Sequence, residues 1–64
     1  MEVKEGSLWR ATDGKEFRVI SVTEIEGHTW VHYRNADCNP NIYECQEYSC
    51  YIESFVSRFS KAPD

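Results

Sequence analysis

The sequence predicts a mainly β domain, a small barrel of about five short strands with one terminal helical or 3-10 turn. Three observations carry this expectation. The chain has 64 residues, room for one domain spanning 1–64. It holds three Phe, four Tyr and two Trp, and each buried aromatic removes roughly 150–250 Å² from water. Short apolar–polar alternations are separated by Gly, Asn and Asp, the pattern of brief strands joined by tight turns. A domain of this length buries only about 60% of its unfolded surface, so each large side chain counts. Closure into a barrel would also remove exposed sheet edges. The alternative is an open three- or four-stranded antiparallel sheet with Glu53–Phe59 packed across one face.

The elements follow in order. Ser7–Thr12 reads as a first strand, and Asp13-Gly14 as a hairpin turn with positive φ at both positions. Lys15 or Glu16 opens a second strand running to about Glu24. Phe17 and Val19 alternate on one phase, Ile20 and Val22 on the other. That change of phase places a bulge near Val19–Ser21. Glu26-Gly27 is the next turn. His28–Arg34 is a third strand rich in aromatic and β-branched residues. Val31 and Tyr33 share one face; Trp30, His32 and Arg34 share the other. Asn35–Asn41 is a loop of turn formers. Ile42–Cys45 and Tyr48–Ile52 read as two short strands. Ile52, Phe55, Val56 and Phe59 have helical spacing, so one turn is expected over Glu53–Ser57, with Arg58-Phe59 returning to extended pairing. Phe17, Val19, Val31, Tyr33 and Phe55 form the expected core. The polar ends, 1–5 and 61–64, are expected to fray.

Eleven acidic and seven basic residues give a net charge of −4. The basic residues are scattered, and none is adjacent to another. A nucleic-acid binder more often shows a basic patch or stripe. No apolar run approaches the roughly 20 residues that span a bilayer. The charged opening, Met1-Glu2-Val3-Lys4-Glu5, lacks the apolar stretch of a signal peptide. The expectation is therefore a cytoplasmic chain with Cys38, Cys45 and Cys50 as free thiols.

Few residues carry chemistry. His28 and His32 have a spacing seen in zinc sites, but on a strand they lie roughly 13 Å apart, too far to share one ion. Cys45 and Cys50 can meet across their hairpin, yet small buried apolar groups are the simpler account of them. Asp37-Cys38-Asn39-Pro40-Asn41 matches the opening of a calcium loop. Ile42 then stands where Gly is required and Tyr48 where Glu is required. A turn with Asx hydrogen bonds fits better. No cysteine has a nucleophile signature around it, and Gly6, Gly14 and Gly27 all sit at turns rather than in a phosphate loop. No catalytic residue, metal site or cofactor is expected, and the chain is read as a non-enzyme.

The chain resembles a group of similarly short bacterial and phage domains of unknown function with an SH3-like pattern. The residues that carry the resemblance are Gly6-Ser7-Leu8-Trp9-Arg10, Asp13-Gly14 and Phe17-Arg18-Val19. They continue with Trp30-Val31-His32-Tyr33-Arg34, Tyr43, Phe55 and Arg58-Phe59. It covers most of the chain. Asn35–Ser49 departs from it, being longer and carrying two cysteines. The resemblance implies an SH3-like barrel and a phage or prophage origin, and it brings no activity.

The aromatic residues give the functional expectation. Alternation along the third strand sends Trp30 outward if Tyr33 points inward. Exposed Trp or Tyr beside Arg is the composition of a protein-interaction hot spot. Trp30, His32, Arg34, Tyr43 and Tyr51 are thus the candidate binding residues for an unidentified cytoplasmic protein that the chain would modulate or inhibit. The alternative is a nucleic-acid module with Arg10, Arg18 and Arg34 on phosphates and Trp30 stacking on a base. A third possibility is an acidic decoy of nucleic acid, with Glu24, Glu26, Glu44, Glu47 and Glu53 on one face. Sequence also allows that the chain's own loop or terminal turn covers Trp30. Oligomeric state is not read from the sequence.

Overall fold

The computed structural model describes residues 3–63; Met1, Glu2 and Asp64 lie outside the described residues. Among these, the chain forms β1 (Leu8–Ala11), β2 (Glu16–Ile25), β3 (His28–Asn35), β4 (Glu47–Tyr51), α1 (Ile52–Arg58) and β5 (Phe59–Lys61). All pairings are antiparallel, and the sheet order is β4-β3-β2-β1-β5. The first four strands form a meander. The helix then carries the chain back so that β5 pairs with β1. The sheet stays open, with β4 and β5 as its edges. Closure is therefore not reached, and the helix packs on one face of an open sheet.

The turns explain the register. β2 and β3 are joined by Glu26-Gly27, with φ of 51° and 80°, the two-residue hairpin in which both positions take positive φ. Asp13-Gly14 works differently from its sequence expectation. Only Gly14 takes a positive φ, in a longer turn. There the Gly14 N–H donates to the Ala11 carbonyl at 3.0 Å, the Ala11 N–H to the Lys15 carbonyl at 2.8 Å, and the Lys15 N–H to the Asp13 carboxylate at 3.0 Å. The phase change in β2 is a bulge: the register with β3 shifts between Val19 and Ser21. The bulge keeps Phe17, Val19 and Val22 on the core side although their spacing is not strictly alternate.

The core gathers Val3, Trp9, Val19, Val31, Tyr33, Phe55 and Phe59. Trp9 and Phe55 are 0% exposed, with ring centroids 5.2 Å apart in an edge-on contact. Phe55 also meets Tyr33 at 5.2 Å and stacks on Phe59 at 4.5 Å. Of the expected core, Val19, Val31, Tyr33 and Phe55 are buried, while Phe17 is half-buried at its margin. Trp9 is buried with its polar atom satisfied. Its indole N–H donates to Ser7 Oγ at 3.0 Å, and the Ser7 hydroxyl donates to the Lys4 carbonyl.

Three further expectations change. Ile42–Cys45 is not a strand but part of the 36–46 loop. The ends expected to fray contribute Val3 and Ala62 to the buried interior, and the Ala62 N–H donates to the Leu8 carbonyl at 3.0 Å. The cysteines are not three free thiols. Cys38 and Cys45 form a disulfide with Cα atoms 6.0 Å apart, and Cys50 remains a thiol. Cys45 therefore does not meet Cys50. With Ile42–Cys45 turned into loop, Cys45 faces Cys38 across the loop's neck, within the 4.4–6.8 Å range a disulfide needs.

Candidate functional site

The pairing register builds the sheet face opposite the core row by row. Thr23, Trp30 and Tyr51 form one row, Ser21, His32 and Ser49 the next, and Arg18, Arg34 and Glu47 a third. Ile25 and His28 end the face at the β2–β3 hairpin. Helix α1 sends Phe55 into the core, so it lies on the other side of the sheet.

Two aromatic contacts unite one end of this outer face. Trp30 and Tyr51 have ring centroids 4.4 Å apart, and His28 and Tyr51 lie 5.1 Å apart. Trp30 is half-buried while Tyr51 and His28 are exposed, and the indole lies between Thr23 and Tyr51 in its row. Glu24 and Glu26, both exposed, stand at the adjoining hairpin with exposed Ile25. His32 is fixed by a contact of 2.9 Å between its Nε2 and Thr23 Oγ1.

At the other end, Arg18 and Arg34 are direct cross-strand partners. Like charges so placed repel. The Arg18 guanidinium donates to the Gly6 carbonyl at 2.7 Å, and Glu47 stands opposite Arg34 on its other side. Arg10 is bound to Glu16 at 3.0 Å. Of the residues expected to bind, Trp30, His32, Arg34 and Tyr51 thus share one face. Tyr43 does not join them. It sits exposed in the 36–46 loop. His28 belongs to the aromatic patch and was missed, although its spacing of two from Trp30 signals the shared face.

A second feature lies on the core side. Phe17, Tyr33 and Tyr48 floor a groove of about 330 Å³ that Ala11, Asp13, Lys15 and Arg58 complete. Tyr33 and Tyr48 are stacked at 5.6 Å, and Phe17 meets both edge-on. Burial pushes the Tyr33 phenol above its usual range; neighbouring Cys50 adds to this and Arg58 opposes it. Arg58 in turn is held above its ordinary value chiefly by the proximity of Cys50, while its Nε–H donates to the Ser54 carbonyl at 3.4 Å. The Arg58 guanidinium also lies 5.6 Å from the Phe59 ring centroid.

Among the described residues, no three His, Cys, Asp or Glu side chains gather as metal ligands would. Asn39, in the calcium-like stretch, instead accepts the Asn41 N–H at 3.0 Å in an Asx turn. Among the same residues, no helix is long and apolar enough to cross a membrane. No protein-family model matches the chain, and no curated protein or solved structure is significantly similar to it.

Proposed function

We propose that the chain is a non-enzymatic protein-interaction module that docks through the outer face of its sheet and modulates or inhibits its partner. The observation that supports this most is the His28–Tyr51–Trp30 cluster on a face that the helix leaves bare. Tyr and Trp offer large, rigid contact area, and such residues dominate binding energy when a partner desolvates them. Glu26, exposed in the turn next to His28, favours a partner that brings Lys or Arg to the rim of the cluster. An SH3-like arrangement accords with the meander and the return of β5 to β1. A phage or prophage accessory role rests on the sequence resemblance alone. A cytoplasmic setting would hold Cys38 and Cys45 as thiols, so binding is to be measured with and without reductant.

One observation favours nucleic acid instead: Arg18 and Arg34 are adjacent on the same face as Trp30. The pairing of Arg10 with Glu16, Glu47 beside Arg34 and the net charge of −4 weigh against it. Titration with fluorescent single- and double-stranded DNA and RNA separates the two. Weak or absent binding at physiological salt is expected. Tight binding that falls steeply with salt, as counterion release requires, would overturn the protein-docking proposal. For a partner recovered by specific pull-down, Trp30→Ala should abolish capture while the far-UV circular dichroism stays that of the wild type.

A further inference from the structure

The net charge is not spread evenly. The 36–46 loop holds Asp37 and Glu44 and no Lys or Arg, so it carries a charge of −2; Glu47 and Glu53, the other acids of the Arg-free and Lys-free stretch 35–57, lie on β4 and α1. The loop in this segment is closed by Cys38–Cys45 and braced internally. The Ile42 and Tyr43 N–H groups both donate to the Asn39 carbonyl, at 3.1 and 2.9 Å. At its tip stand Ile42 and Tyr43, 68% and 66% exposed, the most exposed large apolar residues among those described. A knob closed by a disulfide and braced by two backbone hydrogen bonds loses less freedom on docking than an open loop, which favours affinity.

The groove floored by Phe17, Tyr33 and Tyr48 has complementary character. Its floor is aromatic, and Lys15 and Arg58 outnumber Asp13 on its walls, a net charge of +1. Knob and groove also adjoin. Lys15 lines both the groove and a neighbouring cavity of about 410 Å³ whose other wall is Asn35, Ala36 and Asp37, the root of the loop. A two-fold axis beside that junction would place each copy's knob against the other copy's groove, and an assembly of that symmetry closes at two.

We infer that the chain self-associates as a reciprocal dimer in which the disulfide-closed loop, through Ile42, Tyr43 and Glu44, occupies the aromatic groove of a second copy. The interface lies on surfaces other than the Trp30 face and leaves that face open. Reduction of Cys38–Cys45 loosens the knob and weakens the dimer.

Sedimentation analysis of the oxidised full chain, from micromolar to millimolar concentration, tests this. A monomer–dimer equilibrium is expected. Tyr43→Ala in the knob and Lys15→Glu in the groove should each weaken it more than about tenfold, whereas Trp30→Ala should not change it. Mixing the Tyr43→Ala and Lys15→Glu variants should give association stronger than either variant alone but weaker than the wild type, because the mixed pair retains one of the two knob–groove contacts intact. A chain that stays monomeric throughout would overturn the inference, as would growth beyond two copies or a dimer indifferent to both variants. A fluorescein-labelled, disulfide-closed peptide of residues 36–46 provides a second measurement. Binding that Lys15→Glu abolishes supports the assignment. Equal binding of a linear Glu–Tyr repeat peptide would make the groove a general acidic-peptide site and refute a dedicated second copy. Failure of the dimer with an intact Trp30-dependent pull-down would leave the proposed docking face standing.

Discussion

Phe55→Ala should strip the protein of a large share of its stability at room temperature. Phe55 is 0% exposed and touches Trp9, Tyr33 and Phe59, so three of the largest core groups lose a neighbour at once. Truncation of a fully buried Phe costs about 3–5 kcal/mol, the lost transfer energy plus the cavity left behind. At about 0.05–0.15 kcal/mol per residue, a chain of 64 residues has roughly 3–10 kcal/mol in total. The loss is therefore at least about a third of the total and at the low end equals it. The effect is compounded because the seven-residue α1 is far shorter than the roughly 12–15 residues an isolated helix needs; without the Phe55 anchor it has no reason to stay helical. Urea denaturation followed by near-UV circular dichroism, which reports the aromatic core, is the assay. Phe55→Leu keeps most of the volume and should stay folded, with a cost below about 1.5 kcal/mol if the core repacks. A Phe55→Ala midpoint within error of the wild type would refute this account of the core. Equal losses in the Ala and Leu variants would show that ring contacts rather than filled volume hold the helix.

The remaining expectations are more local. Ser7→Ala should cost about 1–3 kcal/mol, because it strands the buried Trp9 N–H; an unchanged thermal midpoint would show that the indole finds another acceptor. The Cys38→Ser, Cys45→Ser double variant closes no loop and should lose about 2–3 kcal/mol, with the β-sheet signal retained since both residues lie outside the strands; collapse of the sheet would refute that separation. Stability should fall with pH above about 10, the ordinary tyrosine value. The Tyr33 phenol is held above that value by burial, so between the two values the unfolded chain binds fewer protons than the folded one, and ionisation draws the equilibrium toward unfolding. Tyr33→Phe should flatten that alkaline loss; an unchanged slope would assign it to another group.

Local chemistry was enough for much of the fold. Gly14 and Gly27 take positive φ where the turns were expected, the bulge falls at Val19–Ser21, and β3 alternates as its sequence says. Trp30, His32 and Arg34 could be assigned to one face because a strand has a period of two. The helical spacing of Ile52, Phe55, Val56 and Phe59 marked α1 to within a residue.

Long-range pairing decided the rest. Whether the sheet closes depends on how β4 and β5 lie relative to one another across the whole sheet, and no local pattern encodes that; here both remain edges. Trp9 and Trp30 are chemically the same, yet one fills the core and the other faces outward. The difference lies in the pairing of β1 with both β2 and β5, which places Trp9 under the helix. Cys38 met Cys45 because the 36–46 segment forgoes a strand and turns back at its neck. Three cysteines allow three pairings, and only the three-dimensional distance between Cα atoms chooses among them. The aromatic groove likewise joins Phe17, Tyr33, Tyr48 and Arg58 from four separate elements, so its existence is a property of the packed chain and of no single stretch of sequence.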